Sequence, residues 1–363
     1  MSESPPHKAM RRSRTHQSPQ DSLQRDGYSN SSNRNNNDDE DQQMDNIAAT
    51  MDLAETISLT ESIRGHVEEA GLRYHAYHAG KYPFPNDVVE QDRDDLIHHV
   101  LETICGSVYF APVENMLRAD GGRALDIGTG TGAWCLATRC PVADLFPQAT
   151  FVGSDLSPIQ PETVPPNVQF VIDDFEHEDG WADDPETYDY IHARRVLITV
   201  YDVATLMKHA FDHLKPGGWI ELQEFTNTIE CDDSSYTEET TYRVRDFMQL
   251  LGQGLAAIGT DIHASNNIEQ HLTAAGFTNI TRQQFKVPVG RWPEDEVKSS
   301  CGEMHRESMH DGLVGLARKP LRALNWTNLQ TEMLLVEVRQ HLNDSSFHVY
   351  MVFNVICAQK PYA

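Results

Sequence analysis

Residues 123 to 137 read RALDIGTGTGAWCLA, where one acid, Asp126, precedes three glycines at alternate positions, Gly128, Gly130 and Gly132. An apolar run ending in such a loop reads as a strand turning into a helix. The glycines let the backbone approach a ligand closely, and the positive end of the helix points at the same place. Later apolar runs also close on carboxylates: Asp155 ends FVGSD, and Asp173 and Asp174 end VQFVIDD with Phe175 beside them. Open parallel sheets bind their ligands at such strand ends. The two oxygens of Asp155 match two vicinal ribose hydroxyls, and Asp173 or Asp174 suits the amino group of an adenine whose ring meets Phe175. Asp155 also reads as a helix N-cap, and the Asp173-Asp174 pair as ordinary turn acids.

The glycines alone leave two cofactors open. GTGTGA satisfies the dinucleotide pattern G-x-G-x-x-G/A with Ala133 last and Asp155 22 residues beyond it, as in a nicotinamide dehydrogenase. Beside a pyrophosphate, however, Asp126 would be repelled by about 4 kcal/mol per close charge pair at an effective dielectric near 20. S-adenosyl-L-methionine has no phosphate and carries an ammonium and a sulfonium, so the same carboxylate attracts it. Methyl transfer from a sulfonium is an in-line displacement that depends chiefly on alignment. A neutral hydroxyl acceptor also loses a proton, and the run YIHARR offers His192 as a candidate base, with Arg194 or Arg195 to anchor an acidic acceptor. His192 equally reads as a strand histidine bonded inside the core. Tyr74, Tyr77 and Tyr82 are placed to close over the cofactor or simply to pack. Cys301 and His305, four residues apart, lack the further ligands of a transition-metal site, so no metal is expected.

The elements that would position these residues alternate in type. Short β-rich runs (RALDIG, ATFVGSDL, VQFVIDD, YDYIHAR, GGWIELQEF) are separated by helical stretches, and two more, NITRQQFKVPVG and FHVYMVFNVICAQ, follow late helical segments. The expected fold is α/β, a Rossmann-like, mostly parallel seven-stranded sheet with helices on both faces. The cofactor-binding core spans about residues 118–225, with helical inserts at about 226–276 and 291–345. Apolar residues from Leu53 to about Leu117 recur at helical spacing, broken by AGKYPFPND, so a helical lead-in is expected before the sheet.

Composition narrows the setting. The first fifty residues are rich in Ser, Asn, Gln, Arg and Asp and cannot bury enough apolar surface to offset their ordering entropy, so 1–50 reads as a disordered tail and 51–363 as the folded domain. Six basic residues against eight acids leave that tail near neutral, so most of the net charge of −26 falls on the body. A body that acidic repels phosphate backbones, which argues against direct nucleic-acid binding. Six cysteines without a C-x-x-C pair and no apolar leader or membrane-length run point to an intracellular protein, in nucleus or cytoplasm, that is neither secreted nor membrane-bound. HKAMRRSR in the tail reads as a nuclear import signal or as a solvated basic cluster.

The blocks LDIGTGTGAW, GSDLSPIQP, PPNVQFVIDD, YDYIHARR, LKPGGWIELQEF and AGFTNITRQQFKVPVGRWP, with the lead-in RYHAYHAGKYPFPNDVVEQDR, together resemble the fungal LaeA-like family of S-adenosylmethionine-dependent methyltransferases. The resemblance runs from about Leu72 to Pro361. It implies a class I methyltransferase fold whose last strand is antiparallel, with cofactor contacts at Asp126, Gly128, Gly130, Asp155 and Asp174. Thr129, Gly132, Leu156, Asp173 and Phe175 complete the candidate set. It also implies a role in fungal secondary metabolism, as a tailoring enzyme or as a regulator with velvet-type partners in the nucleus. A cofactor-binding scaffold with little catalytic role is the alternative, and the methyl acceptor, metabolite or protein, is not named. WCLATRCPVADLFP is longer than the family pattern and sets Pro141 where a kink or early helix end is expected. Deleting residues 1–48 should leave thermal stability and cofactor affinity within error of the full chain, as checked by melting and calorimetry. A truncated protein that fails to fold would move the domain boundary.

Overall fold

The computed structural model describes residues 65–136, 141–177 and 180–362, so the N-terminal tail lies outside the described residues. Seven strands form one sheet in the order β5-β4-β3-β6-β7-β9-β8. They are β3 (Arg123–Ile127), β4 (Thr150–Asp155), β5 (Val168–Ile172), β6 (Tyr188–Arg194), β7 (Leu214–Cys231), β8 (Thr278–Pro288) and β9 (Val349–Gln359). From β5 to β7 all neighbours pair in parallel, whereas β9 runs antiparallel to both β7 and β8. The seven expected strands are therefore present, with the last one reversed.

Both faces of the sheet are covered, and successive residues feed two separate cores, as the two-residue period of a strand requires. Leu125, Ile127, Ile191, Ile220 and Leu222 enter one core with Leu206, Met207 and Leu272. Ala124, Phe151, Tyr190, Trp219 and Phe353 enter the other with Trp134, Ile97 and Leu101. Helices α1 (Val88–Cys105), α2 (Val203–His213), α3 (Arg243–Ile258), α4 (Ile268–Ala275), α5 (Glu296–Ala323) and α6 (Asn328–Leu342) supply the layers. Asp87 caps α1 by accepting from the Glu90 N–H, and Gly106 ends it in the left-handed region, so the helix starts at the turn that the two prolines and Asn86-Asp87 signalled.

The lead-in is helical at Val88–Cys105 and Glu114–Leu117, and one part of it, 66–75, departs from the helical expectation. His66–Glu69 (β1) and Leu72–His75 (β2) form an antiparallel hairpin closed by Ala70 and Gly71, both at positive φ. A two-residue turn of that conformation matches the twist of paired strands, and Gly71 is the residue type that favours it. Among the described residues helix begins at Val88. The first insert departs as well, since β7 runs to Cys231 through a bulge between Phe225 and Ile229 before α3 starts at Arg243. After the glycines the helix covers one turn, Ala133–Leu136, and Pro141 precedes a second one-turn helix, Val142–Leu145; residues 137–140 are outside the described set.

Helix α5 crosses α3 where the backbone of one meets the other. A Cβ on Gly254 would stand 2.4 Å from the Pro320 carbonyl oxygen. Replacing an interior helical glycine by alanine ordinarily gains up to about 1 kcal/mol, but overpacking here should cost about 1–3 kcal/mol. Gly254→Ala should therefore lower the melting temperature followed by circular dichroism; a raised one would mean that the two helices are free to separate.

Candidate functional site

At the carboxyl ends of the parallel strands a cavity of about 210 Å³ opens. Its wall includes Gly128, Gly130, Asp155, Leu156, Asp174 and Phe175 from the loops after β3, β4 and β5, and Arg194 from β6. Six of the ten expected cofactor residues thus meet around one space. Asp126, Thr129, Gly132 and Asp173 stand behind that wall and shape it. Asp126 is buried, accepting from the Thr129 hydroxyl at 2.7 Å and from His192 Nδ1 at 2.7 Å. Gly132 sits at φ +84, and a Cβ there would lie 2.4 Å from the Phe170 ring, so glycine is needed for both conformation and space. Asp173 accepts from the Asp174 N–H at 2.8 Å and braces the next carboxylate.

Asp155 takes a definite role in the loop. Its Oδ2 accepts from the Gly130 N–H at 2.9 Å and its Oδ1 from the Ser157 N–H at 2.8 Å, and no helix follows it to be capped. Each oxygen keeps a second lone pair. Burial outweighs both bonds and pushes its carboxyl up to about 6. Asp174 lies in a different field. Burial opposes its ionisation, yet hydrogen bonds from Lys81 and His78 outweigh that and hold it below the usual carboxylate range. Lys81 Nζ is 2.6 Å and His78 Nδ1 2.8 Å from Asp174 Oδ2. The segment between the hairpin and α1 is thereby tied across the ends of β4 and β5, and Asn86 adds a bond to Ser157 at 3.1 Å.

His192, named as a candidate base, is fully buried and does not line the cavity. Its ring stacks on Trp134 with centroids 4.1 Å apart, and its Nε2 has no hydrogen-bond partner. It reaches Asp126, not an acceptor. Of the three lead-in tyrosines, Tyr82 lines the cavity, whereas Tyr74 carries Lys319 over its ring at 3.8 Å. Arg195 lines the cavity from the left-handed region at φ +58 and pairs with Asp94.

Beyond the glycine loop the cavity continues toward β7, α3 and α5 and becomes largely apolar, walled by Phe225, Met248, Leu251, Met309, Leu316 and Met351. Two titratable groups there are not expected at the site from sequence: Glu224 is not singled out, and His305 enters only as half of an incomplete metal pair with Cys301. Glu224 accepts from the Val196 and Leu197 N–H groups at 2.8 and 2.9 Å, and burial pushes its carboxyl up to about 7. His305 bonds the Pro288 carbonyl through Nδ1 at 2.9 Å and stacks on Phe225. Burial pulls it down to about 4, so the ring is neutral at physiological pH, and because a carbonyl only accepts, the Nε2 is the accepting nitrogen. Nothing in the spacing announces Glu224, and the Cys301-His305 spacing marks His305 without placing it at the cavity. The pairing of Lys81 with Asp174, 93 positions apart, is equally invisible in sequence, although KYPFPND marks the segment.

Comparison with known proteins agrees with this geometry. A family model described as "Methyltransferase domain" matches residues 97–282. The chain is 39% identical over 312 residues to the methyltransferase pytC of Aspergillus terreus, covering 84% of this chain and 91% of that protein. It is 31% identical to the secondary metabolism regulator laeA of Aspergillus flavus, covering 81% and 77%. It is 30% identical to the protein-methionine methyltransferase laeA of Emericella nidulans, covering 81% and 76%. A dinucleotide dehydrogenase is thereby set aside: the chain belongs to the LaeA-like S-adenosyl-L-methionine-dependent methyltransferases of fungal secondary metabolism.

Proposed function

We propose that the chain methylates a small, largely apolar metabolite, acting as a tailoring enzyme. The observation that carries this reading is the apolar chamber continuous with the glycine loop, deep enough to hold an acceptor away from water. The 39% identity to pytC, across most of both chains, supports the same direction. In this reading the adenosyl end of the cofactor lies over Asp155 and Phe175, the sulfonium faces the chamber, and the walls fix the acceptor in line with the methyl group. The sulfonium loses its charge as the methyl leaves. A hydroxyl acceptor releases its proton to the neutral Nε2 of His305.

The regulatory reading, with velvet-type partners in the nucleus, draws support from the laeA relatives at 30–31% identity. Deleting the gene separates the two. A tailoring enzyme leaves one methylated product missing and its desmethyl precursor accumulating, whereas a regulator silences whole product families. Two variants tie the phenotype to the cofactor. Gly130 sits at φ +58, so Gly130→Val should distort the loop and abolish binding of S-adenosyl-L-methionine. Asp155→Asn keeps the shape and removes the charge, and should weaken binding by about 1.5–3 kcal/mol. If the binding-dead Gly130→Val protein, shown to be folded, restores the missing product, the chain works as a scaffold.

The position of Asp155 sets a pH dependence. A carboxyl raised to about 6 is largely protonated at pH 5 and ionised at pH 7.5, and only the ionised form accepts from both ribose hydroxyls. Affinity measured by calorimetry should therefore rise with pH through about 6 and level off above 7, and Asp155→Asn should flatten that rise. In the empty protein the same shift has the opposite sense: stability contributed at this site is greatest below the unfolded-state value near 3.9 and declines as pH passes 6.

A further inference from the structure

Four basic residues line the cavity, and among the described residues three of them are paired with carboxylates: Lys81 with Asp174, Arg93 with Glu90, and Arg195 with Asp94. Arg194 is the exception. Its guanidinium is held by neutral groups, with Nε donating to Gln223 Oε1 at 2.8 Å, Nη1 to His98 Nδ1 at 2.7 Å and Nη2 to the Val108 carbonyl at 3.4 Å. Burial, with the neighbouring Arg194 charge, pulls His98 down to about 3, so that imidazole is neutral and its Nδ1 accepts from the guanidinium. A part-buried guanidinium held only by neutral groups carries an uncompensated charge that an arriving anion would pair.

The sheet order indicates which anion. In the register, Ile127 on β3 lies beside Ser154 on β4 and beside Ala193 on β6, so Asp155 and Arg194 flank Gly128 on opposite sides. The cofactor is a linear molecule, adenosine at one end and an α-amino acid at the other. If Asp155 takes the ribose, the amino-acid end extends past the glycines toward β6, where Arg194 stands two strands away, about 10 Å. We infer that Arg194 binds the α-carboxylate of S-adenosyl-L-methionine, supplying the charge that orients the amino-acid end and so aims the sulfonium into the chamber. This rests on the assignment of the cofactor to the same cavity. Two guanidinium N–H groups beyond the three in use remain to meet the carboxylate.

The test uses S-adenosyl-L-methionine and its decarboxylated analogue, which keeps the sulfonium and the amine and lacks only the carboxylate. Calorimetry on the full chain should show the wild type binding the complete cofactor about ten- to a hundredfold more tightly than the analogue. Arg194→Gln should lose most of that preference, weakening the complete cofactor while leaving the analogue within about twofold. Equal weakening of both ligands, or no change in either, overturns the inference, the second result placing the guanidinium against the acceptor instead. Should Arg194→Gln fail to fold, Arg194→Lys carries the same comparison: it keeps the cation without the planar fork and should lose affinity selectively for the complete cofactor. A wild type that binds neither ligand defeats the cofactor assignment itself, a failure distinct from the loss of selectivity.

Discussion

Asp126 is the constraint on which the ligand end of the sheet depends. A carboxylate buried in the third strand is tolerable only if its lone pairs are satisfied, and here one oxygen is bonded to His192 on the adjacent strand and the other to the Thr129 hydroxyl inside the glycine loop. The loop is thus fastened to the sheet from beneath. Thr129 donates its backbone N–H to the Ser154 carbonyl at 3.0 Å, which links the same turn to β4. With the turn fixed, the Gly130 N–H meets Asp155, and the upper surface of the loop stays bare for a ligand. Asp126 therefore shapes the ligand end of the sheet from behind the wall, both of its oxygens already bonded within the protein.

The same row of the sheet explains why so many polar groups are buried without disrupting the core. Asp126, His192 and Glu221 are register partners across β3, β6 and β7, and they share the face that carries Trp134. Glu221 accepts from the Phe110 and Ala111 N–H groups at 2.8 and 2.7 Å, so it fastens the segment after α1 to the sheet. One step further along, Arg194 and Gln223 are partners, and Arg194 lines the cavity. The polar stripe begins as structural anchorage in the middle of the strands and ends as ligand surface at their tips. Replacing such a stripe piecemeal leaves unpaired partners, so its members act as a set.

The strands were legible because each ended in a marked residue: glycines after β3, Asp155 after β4, Asp173-Asp174 after β5 and Arg194 on β6. Order along the chain, with short β-rich runs between helical ones, then fixed the class of sheet. Only residues 66–75 of the lead-in differ from the expected helix, because the Ala70-Gly71 turn that makes them a hairpin depends on two positive φ angles that apolar spacing does not register. The site was half legible for a related reason. Residues at strand ends announce themselves by position, but Lys81, Glu224 and His305 reach the cavity from a loop, from within the long strand β7 and from a late helix, and only the tertiary fold brings them there. His192 shows the converse, since a histidine at a strand end was legible and its inward direction was not.

The segment between the hairpin and α1 belongs to the site as much as the glycine loop does. It is tied by Lys81 and His78 to Asp174, by Asn86 to Ser157, and by the Lys81 carbonyl, which accepts from the Tyr201 hydroxyl at 2.9 Å. The two ties to Asp174 differ in kind from the bonds beneath the sheet. The Lys81 and His78 side chains are 26% and 37% exposed, so water replaces their partners at modest cost when they part. The Asp126 and Glu221 bonds are closed off from water and have no such replacement. Further along the same segment Phe84 and Asn86 are buried, and Asn86 meets a buried Ser157, so the strap is anchored in the core at its α1 end and reaches water only at its His78 and Lys81 end, where it meets Asp174.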